Sequence, residues 1–415
     1  MTNGWTGGQY SLFRTVFGVY LTIHFLHLLP WGAELFSRAG MLPDPRTSPL
    51  YPLFPNPLFV WDAPAVVTLM LAGGALASVA LTLGVWDRSA AALLWWLWAC
   101  LFTRNPLIAN PGLPFVGWLL LMHACVPPGA YGTWAARGAV DPGSRWRLPD
   151  ALYGAAWIVM AIAYSYSGWT KLDSVSWTDG SALARVLENP LARPTVLREL
   201  VLAVPAWMLA VGTWAALALE LAFAPLALVR ALRRWLWLAM LGMHATLLTL
   251  LDFADLTLGM VMLQLVTFDP AWIPAVREHA PATLFYDGRC GLCHRTVRFL
   301  LSEDRDGAGF RFAPLDSEAF RAAVPETERR DLPDSFVLRT ASGALVTRSA
   351  AFIEIGRRLG GVWRVLATIG AWAPRALRDA AYNRVAQVRR RIFAAPKDAC
   401  PLLPTELRAR FLLDA

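Results

Sequence analysis

Two cysteines separated by two residues, Cys290 and Cys293, are the residues whose spacing points most directly to chemistry. They follow a short β-type run and Gly288, and they open a segment with helical periodicity. Backbone N–H groups and the positive end of a helix dipole stabilise a thiolate at such a position. Two thiols at this spacing can also close on each other. The pattern therefore predicts a site that alternates between dithiol and disulfide.

The two thiols are expected to have different roles. We expect Cys290 to be the more exposed, attacking thiol and Cys293 to be the buried, resolving thiol. Arg289 and the helix N-terminus would stabilise the thiolate. Asp287 either relays a proton to Cys293 or caps the turn, and the sequence leaves both roles open.

The main alternative is that the two cysteines form half of a structural zinc site. Tetrahedral zinc needs four ligands. Only His294 and Cys400 could complete the set, and the sequence has no second Cys-x-x-Cys. The sequence therefore favours thiol chemistry that requires no cofactor and no metal.

The elements around the cysteines follow a recognisable order. The patterns predict strands at 283–286, 310–312, 334–339 and 345–347, and helices at 290–302 and 349–359. This β-α-β-β-β-α order, with Cys-x-x-Cys after the first strand, is typical of an α/β thioredoxin-like fold. Pro333 precedes the third strand, where we predict a structural cis-proline facing the cysteines.

Residues 282–413 resemble the DCC family of predicted thiol–disulfide oxidoreductases. The matching residues are Tyr286-Asp-Gly-x-Cys290-x-x-Cys293, Phe312-Ala-Pro-Leu-Asp316, Ser349-Ala350 before a helix, Arg378-Asp379, Tyr382 and Cys400. The resemblance implies a thioredoxin-like fold with redox-active cysteines. The natural substrates of the family are poorly defined, so we expect only a thiol-containing protein or a small thiol as partner.

The rest of the chain has the composition of a membrane protein. The whole chain is 56% hydrophobic and only 16% charged, against about 25% for ordinary globular domains. Apolar runs of nearly spanning length lie near 10–30, 64–84, 89–103, 112–127, 149–168, 200–229, 234–251 and 254–269. We therefore predict an α-helical polytopic membrane domain of about eight spans over residues 1–276. Residues 277–415 form the second predicted domain, with a basic helical C-terminal tail.

A second group of polar residues lies in the apolar half. Glu220 interrupts an apolar run, where a carboxylate is costly unless it has a polar partner or lines a functional cavity. His244 lies in another apolar run. Lys171 follows the end of a third run that carries Tyr164 and Tyr166. The alternative for Lys171 is an interfacial cation whose ammonium reaches the headgroups.

Residues 1–276 resemble the HTTM membrane domain shared with the vitamin K-dependent γ-carboxylases. The resemblance is carried by Tyr164-Ser-Tyr166-Ser-Gly168-Trp-Thr-Lys171-Leu-Asp173-x-x-x-Trp177-x-x-Gly180. It implies that Lys171 matches the base that deprotonates the hydroquinone, with Glu220 and His244 as its acidic and histidine counterparts. The sequence lacks a counterpart of the carboxylases' extracytoplasmic peptide-binding domain. The resemblance therefore implies a lipid- or quinone-facing pocket rather than carboxylation.

These observations leave three hypotheses for function. The first is an integral membrane thiol–disulfide oxidoreductase whose membrane half binds a quinone or lipid. The second is a carboxylase-related membrane enzyme that acts on a lipid or peptide with Lys171 as base, the cysteine domain being regulatory. The third is a non-enzymatic membrane anchor for an interaction domain. We expect membrane lipids, and not nucleic acid, as partners of the basic second domain.

Short loops with compact arginine clusters predict the orientation. Arg88, the group Arg137, Arg145 and Arg147, and the group Arg230, Arg233 and Arg234 fall on the side that receives both chain ends. We therefore expect an integral plasma (inner) membrane protein with cytoplasmic termini. The first residues lack a basic region and a cleavage site, so we expect no removable signal peptide.

Overall fold

The computed structural model describes residues 2–51, 53–252, 254–392 and 404–412, and the chain forms two compact units. The first consists mainly of Phe13–Val126 and Pro149–Phe268. The second contains Asp269–Ala415 together with two earlier segments, Asn3–Leu12 and Pro127–Leu148. Residues near the N-terminus and in a loop of the apolar half thus join the unit that carries the cysteines.

Helices dominate the first 268 residues because long apolar runs here contain few interior breakers. The α-helices are α1 (Gly7–Leu28), α2 (Gly32–Phe36), α3 (Pro64–Leu83), α4 (Asp87–Arg104), α5 (Leu113–Ala124), α6 (Asp150–Lys171), α7 (Val175–Thr178), α8 (Ala182–Glu188), α9 (Val196–Leu202), α10 (Ala206–Leu228), α11 (Arg233–Leu250) and α12 (Ala254–Thr267). Eight of these coincide with the eight predicted apolar segments.

The predicted number of about eight membrane spans is wrong. Within the described ranges, three helical stretches are long and apolar enough to cross a membrane: Gly7–Phe36, Pro64–Leu83 and Ala206–Leu228. Helices α5 and α12 have only 12 and 14 residues, where about 20 are needed. Charged residues at the ends of α4, α6 and α11 reduce their apolar length.

Helices α6 and α10 pack along each other in the first unit. Gly168 allows their close approach, since a Cβ at this position would lie 2.8 Å from the Leu221 nitrogen and 3.1 Å from the Glu220 carbonyl carbon. A larger residue would push the helices apart. Gly168 therefore brings the last turn of α6, which ends at Lys171, beside the middle of α10.

The second unit contains a small mixed sheet, in the order β2-β1-β3-β4. Its elements are β1 (Ala282–Tyr286), α13 (Gly291–Glu303), β2 (Phe310–Pro314), α14 (Glu318–Ala323), α15 (Glu326–Arg330), β3 (Val337–Arg339), β4 (Leu345–Thr347), α16 (Arg348–Leu359), α17 (Gly361–Trp372), α18 (Arg375–Ile392) and α19 (Thr405–Arg408). Strand β1 is parallel to β2 and antiparallel to β3, and β3 is antiparallel to β4. The four predicted strands are confirmed.

The side chains of β1 point alternately into two hydrophobic cores. Leu284 and Tyr286 belong to one core, which also contains Cys290 and Cys293, while Phe285 belongs to the other. Successive strand residues point to opposite faces of a sheet. The cysteine-bearing helix α13 therefore packs on the face of the sheet that carries Leu284 and Tyr286.

Candidate functional site

The cysteines lie where the chain turns from β1 into α13. The Cys290 N–H donates to the Asp287 carbonyl at 3.1 Å, and the His294 N–H donates to the Cys290 carbonyl at 3.1 Å. Cys290 is the N-cap residue of α13 and has extended backbone angles, while Cys293 lies in the first turn. This is the helix N-terminus predicted from the sequence, with the positive end of the helix dipole.

Both cysteines are in the thiol form rather than in a disulfide, and both are buried. Cys290 is 3% exposed and Cys293 is 6% exposed. The expectation that Cys290 is the more exposed thiol is therefore wrong. Its side chain lies in the core with Phe312 and Phe336 rather than in solvent.

Polar groups hold the turn in place before the first cysteine. An Asp287 carboxylate oxygen accepts from the Arg289 N–H at 2.9 Å, and the His294 ring contacts the Gly288 carbonyl at 2.9 Å. The Asp287 contact supports its capping role, and proton relay to Cys293 stays a prediction. Arg289 is exposed.

The predicted cis-proline is wrong. No cis peptide bond occurs in the ranges that the structure describes, so Leu332–Pro333 is trans. The Ser335 N–H donates to the Pro333 carbonyl at 2.7 Å, and this turn leads into β3 without a cis bond. The trans form is the lower-energy isomer for most X–Pro bonds.

Helix α18 and the C-terminal segment pack around the same core. Helix α18 lies against α13, and Tyr382 packs against the core that contains the cysteines. Phe411 contacts Phe312 with ring centroids 5.3 Å apart. The predicted family residue Cys400 lies outside the described residues. Among those described, no three His, Cys, Asp or Glu side chains are placed to hold a metal ion.

The polar residues of the apolar half form a second cluster. The Lys171 ammonium lies 2.6 and 2.5 Å from the two carboxylate oxygens of Glu220. It also lies 4.4 Å from the centroid of the Trp177 ring, a cation–π distance. Glu220 is buried, whereas the Lys171 side chain is 22% exposed. Lys171 therefore has a carboxylate partner.

A separate set of side-chain contacts in the same unit joins Tyr164, His244 and Gln264. The Tyr164 hydroxyl lies 2.9 Å from His244 Nε2 and accepts from Gln264 Nε2 at 2.7 Å. Within the described chain, His244 Nδ1 and Gln264 Oε1 are buried without a hydrogen-bond partner. Two orphaned polar atoms in one cluster could receive a polar ligand group. Tyr166 is 68% exposed, since two residues along a helix turn a side chain by about 200°.

Comparisons with known proteins give the family of the cysteine-bearing region. A family model described as DCC1-like thiol-disulfide oxidoreductase matches residues 284–395. The uncharacterized protein YuxK of Bacillus subtilis is 34% identical over 130 residues, which are 31% of this chain and 92% of YuxK. This chain belongs to the DCC1-like family.

A more distant relative of this DCC1-like chain is a chloroplastic DCC family protein of Arabidopsis thaliana. The two are 29% identical over 119 residues, which are 29% of this chain and 68% of the relative. No solved structure matches the chain. The family match includes both cysteines and helix α13.

The sequence analysis missed a buried carboxylate at the end of α13 in the DCC1-like region. Glu303 accepts from the Gly8 N–H at 2.8 Å, from the Trp363 indole N–H at 2.5 Å and from the Thr6 hydroxyl. Burial raises the pKa of Glu303 above its usual value, although these hydrogen bonds oppose the shift. The sequence gives no signal for this site, because Glu303 follows Ser302 at an ordinary helix end.

The sequence analysis also did not predict that Pro127–Leu148 packs against the cysteine-bearing helix α13. The Tyr131 hydroxyl donates to the Arg295 carbonyl at 3.0 Å, and the Arg298 guanidinium donates to the Ala139 carbonyl at 2.6 Å. The Tyr131 and Phe299 rings lie 5.5 Å apart. Burial raises the pKa of Tyr131 to about 12, so its hydroxyl remains a donor at neutral pH. This segment therefore buttresses α13.

Proposed function

We propose that this protein is an integral membrane thiol–disulfide oxidoreductase whose active cysteines are Cys290 and Cys293. The main observation in support of this function is that both cysteines lie at the start of α13, directly after β1, within the DCC1-like region. The order β1-α13-β2 followed by the antiparallel pair β3–β4 supports a thioredoxin-like fold for this region. A thiol-containing protein or a small thiol is the proposed partner.

The proposed step is a two-electron exchange. The Cys290 thiolate attacks one sulfur of a substrate disulfide, which forms a mixed disulfide and releases the other substrate sulfur as a thiolate. The Cys293 thiolate then attacks the Cys290 sulfur, so that a Cys290–Cys293 disulfide forms and the second substrate sulfur leaves. The substrate gains two electrons and two protons. The same steps in reverse oxidise a substrate dithiol.

Burial of both thiols imposes a condition on this chemistry. A substrate disulfide must approach a sulfur in line, and the 3% and 6% exposures of Cys290 and Cys293 leave little room for it. We infer that the reactive form is a locally opened state. Helix α18 packs on α13 and contributes Tyr382 to the surrounding core. Movement of α18 is therefore the proposed route of access.

The first unit is proposed to bind a quinone or lipid at the cluster of Lys171, Glu220, Tyr164 and His244. The orphaned His244 Nδ1 and Gln264 Oε1 support this proposal, because they could bind polar groups of a ligand. Tyr166 faces away and is a less suitable ligand contact. In the alternative with Lys171 as base, the Lys171 ammonium must first lose a proton, for which Glu220 is the neighbouring acceptor, since an ammonium has no lone pair to accept one.

The proposed location is the plasma (inner) membrane, with both termini in the cytoplasm. A common side for the termini is supported by the place of Asn3–Leu12 and the cysteine-bearing region in one compact unit. It requires an even number of spans, so at least one helix beyond the three stretches named above would also cross. Three helical stretches long and apolar enough to cross a membrane, among those described, support membrane integration. The orientation rests on the arginine clusters of the short loops. A membrane-impermeant maleimide tests this orientation in an Arg339→Cys variant, because a cysteine at this exposed position should be modified only after the cells are permeabilised.

Trapping of the mixed disulfide tests the thiol chemistry. In a Cys293→Ser variant, the Cys290 sulfur has no resolving thiol, so a mixed disulfide with the partner thiol should accumulate and be visible by mass spectrometry. The matched Cys290→Ser variant should accumulate none through Cys293. Equal trapping by both variants, or by neither, would contradict the assigned roles. Extraction of lipids from purified wild-type and Lys171→Met protein tests the quinone site separately.

A further inference from the structure

Helices α17 and α18 carry an exposed apolar face that the proposed thiol chemistry does not use. Leu366, Ile369 and Trp372 follow each other at three-residue intervals on α17, a spacing that places them along one side of the helix. They are 45%, 52% and 80% exposed, and Leu377 at the start of α18 is 66% exposed. We call these four residues the α17–α18 face.

A groove adjoins this face. It has a volume of about 490 Å³ and lies between Trp272 and Ile273 on one side and α17 on the other, where Ile369 and Trp372 line it. Arg364 lies at the groove and donates to the Pro274 carbonyl at 2.8 Å. A guanidinium has five N–H donors, so Arg364 can donate to an anion as well.

The charge around the face identifies its partner. Residues 361–388, the part of α17 and α18 whose side chains the structure describes, contain four arginines and a single acidic residue, Asp379. An exposed tryptophan beside aliphatic residues and arginines is the composition of helices that lie in the headgroup region of anionic membranes.

We propose that the α17–α18 face and its groove bind the surface of an anionic phospholipid bilayer. Trp372 and Ile369 enter the acyl-chain boundary, an acyl chain occupies the groove, and Arg364 binds the lipid phosphate. This role goes beyond the thiol–disulfide function and involves neither cysteine. Either proposal can therefore fail without the other.

Photocrosslinking of the full-length protein in nanodiscs tests the proposal. p-Benzoylphenylalanine in place of Trp372 keeps an aromatic side chain at an exposed position. We expect lipid adducts, with phosphatidylglycerol favoured over phosphatidylcholine by about fivefold, the factor that one arginine near an anionic surface contributes. The same photoreactive residue at Arg339, an exposed position on β3, is the control and should give few lipid adducts.

A second set of variants separates charge from packing. Arg364→Gln should lower the preference for phosphatidylglycerol by up to about fivefold, with the other arginines of α18 still contributing, whereas Arg364→Lys keeps the charge and should retain most of it. The control Arg339→Gln should leave it unchanged. Lipid adducts no more frequent at position 372 than at position 339 would overturn the proposal. Adducts mainly to a second protein chain would also overturn it and would identify the face as a protein interface.

Discussion

The Lys171 ammonium contacts both carboxylate oxygens of Glu220, at 2.6 and 2.5 Å. The two residues lie 49 positions apart, on helices whose approach depends on Gly168. Glu220 is buried inside α10, an apolar helix. A carboxylate in such a place needs a partner, and Lys171 supplies it from the end of α6.

Glu220→Gln should destabilise the first unit. The change leaves the Lys171 ammonium without its carboxylate partner, which costs about 3–5 kcal/mol in fully buried pairs. Because Lys171 is partly exposed and solvent screens it, we expect a loss of about 2 kcal/mol. Thermal unfolding of the detergent-solubilised protein measures it. The double variant Lys171→Met/Glu220→Met should recover most of the loss.

A surface pair provides the control for this prediction. Arg198 lies 2.8 Å from Glu199, which is 67% exposed. Glu199→Gln should therefore cost less than about 1 kcal/mol. If the effects of the single Lys171 and Glu220 variants simply add in the double variant, the two side chains are not coupled.

Cys290 and Cys293 should react slowly with alkylating reagents in the native, reduced protein. Both thiols are buried, so modification requires local opening. Cys125 is exposed and serves as an internal standard in the same chain. We expect Cys290 to react at least about 100-fold more slowly than Cys125. Peptide mass spectrometry after timed labelling measures both rates, and similar rates would show that the thiols are accessible without opening.

Asp379→Asn should speed the labelling of Cys290. The Asp379 carboxylate accepts from the Ser349 hydroxyl and from the Ser349 N–H at 3.2 Å, which ties α18 to the start of α16. Loss of a hydrogen bond of about 1 kcal/mol should raise the rate by roughly fivefold if α18 controls access. The matched control is Glu326→Gln, in an exposed pair with Arg330. An unchanged rate in Asp379→Asn would exclude α18 as the moving element.

Low pH should break the hydrogen bonds between Asp379 and Ser349. The hydrogen bond from the Ser349 hydroxyl is the main cause that holds the pKa of Asp379 below its usual value. The ionised Asp379 carboxylate therefore stabilises the folded state fully at a pH above its ordinary pKa near 3.8. This stabilisation is lost as the pH falls through the lower pKa of Asp379 in the folded state.

The local sequence predicted the redox motif but not its burial. The spacing of Cys290 and Cys293, the preceding strand and the helical periodicity are local features, and β1 and α13 formed as predicted. Exposure depends on what packs over the turn. Phe312 and Phe336 come from later parts of the chain, so no local pattern could show that Cys290 is buried.

The polar cluster was only partly predictable. Polar residues in apolar runs indicated Glu220 and His244, because such residues are costly without partners. Gln264 gave the same signal in α12 and was overlooked. The contacts of Glu303 with Gly8 and Trp363 join residues 295 and 60 positions apart, and contacts of such separation are set by tertiary packing rather than by sequence pattern.

Protonation of Glu303 should tighten the attachment of the N-terminal segment. Burial raises the pKa of this carboxyl, so the folded state binds a proton more tightly than the unfolded state. Stability is then greatest below the ordinary value near 4.5 and falls as the pH rises through the raised folded-state value. Hydrogen exchange of residues 3–12, corrected for intrinsic rates, should show this loss of protection.

The Trp363→Phe variant tests the same Glu303 contact from the donor side. It removes the indole N–H that donates to the carboxylate at 2.5 Å and leaves an aromatic ring beside Phe299. We expect faster exchange in residues 3–12, equivalent to about 1–3 kcal/mol. Exchange that depends neither on pH nor on Trp363 would show that Glu303 does not hold this segment.

The most direct test of the central claim is the thiol–disulfide equilibrium of the Cys290–Cys293 pair in the intact protein. Thiol labelling across graded ratios of reduced and oxidised glutathione should give a single two-electron transition in which both cysteines change together. Changing either cysteine to serine should abolish this transition. A pair that stays reduced over the whole range while the protein retains stoichiometric zinc would contradict the proposed chemistry.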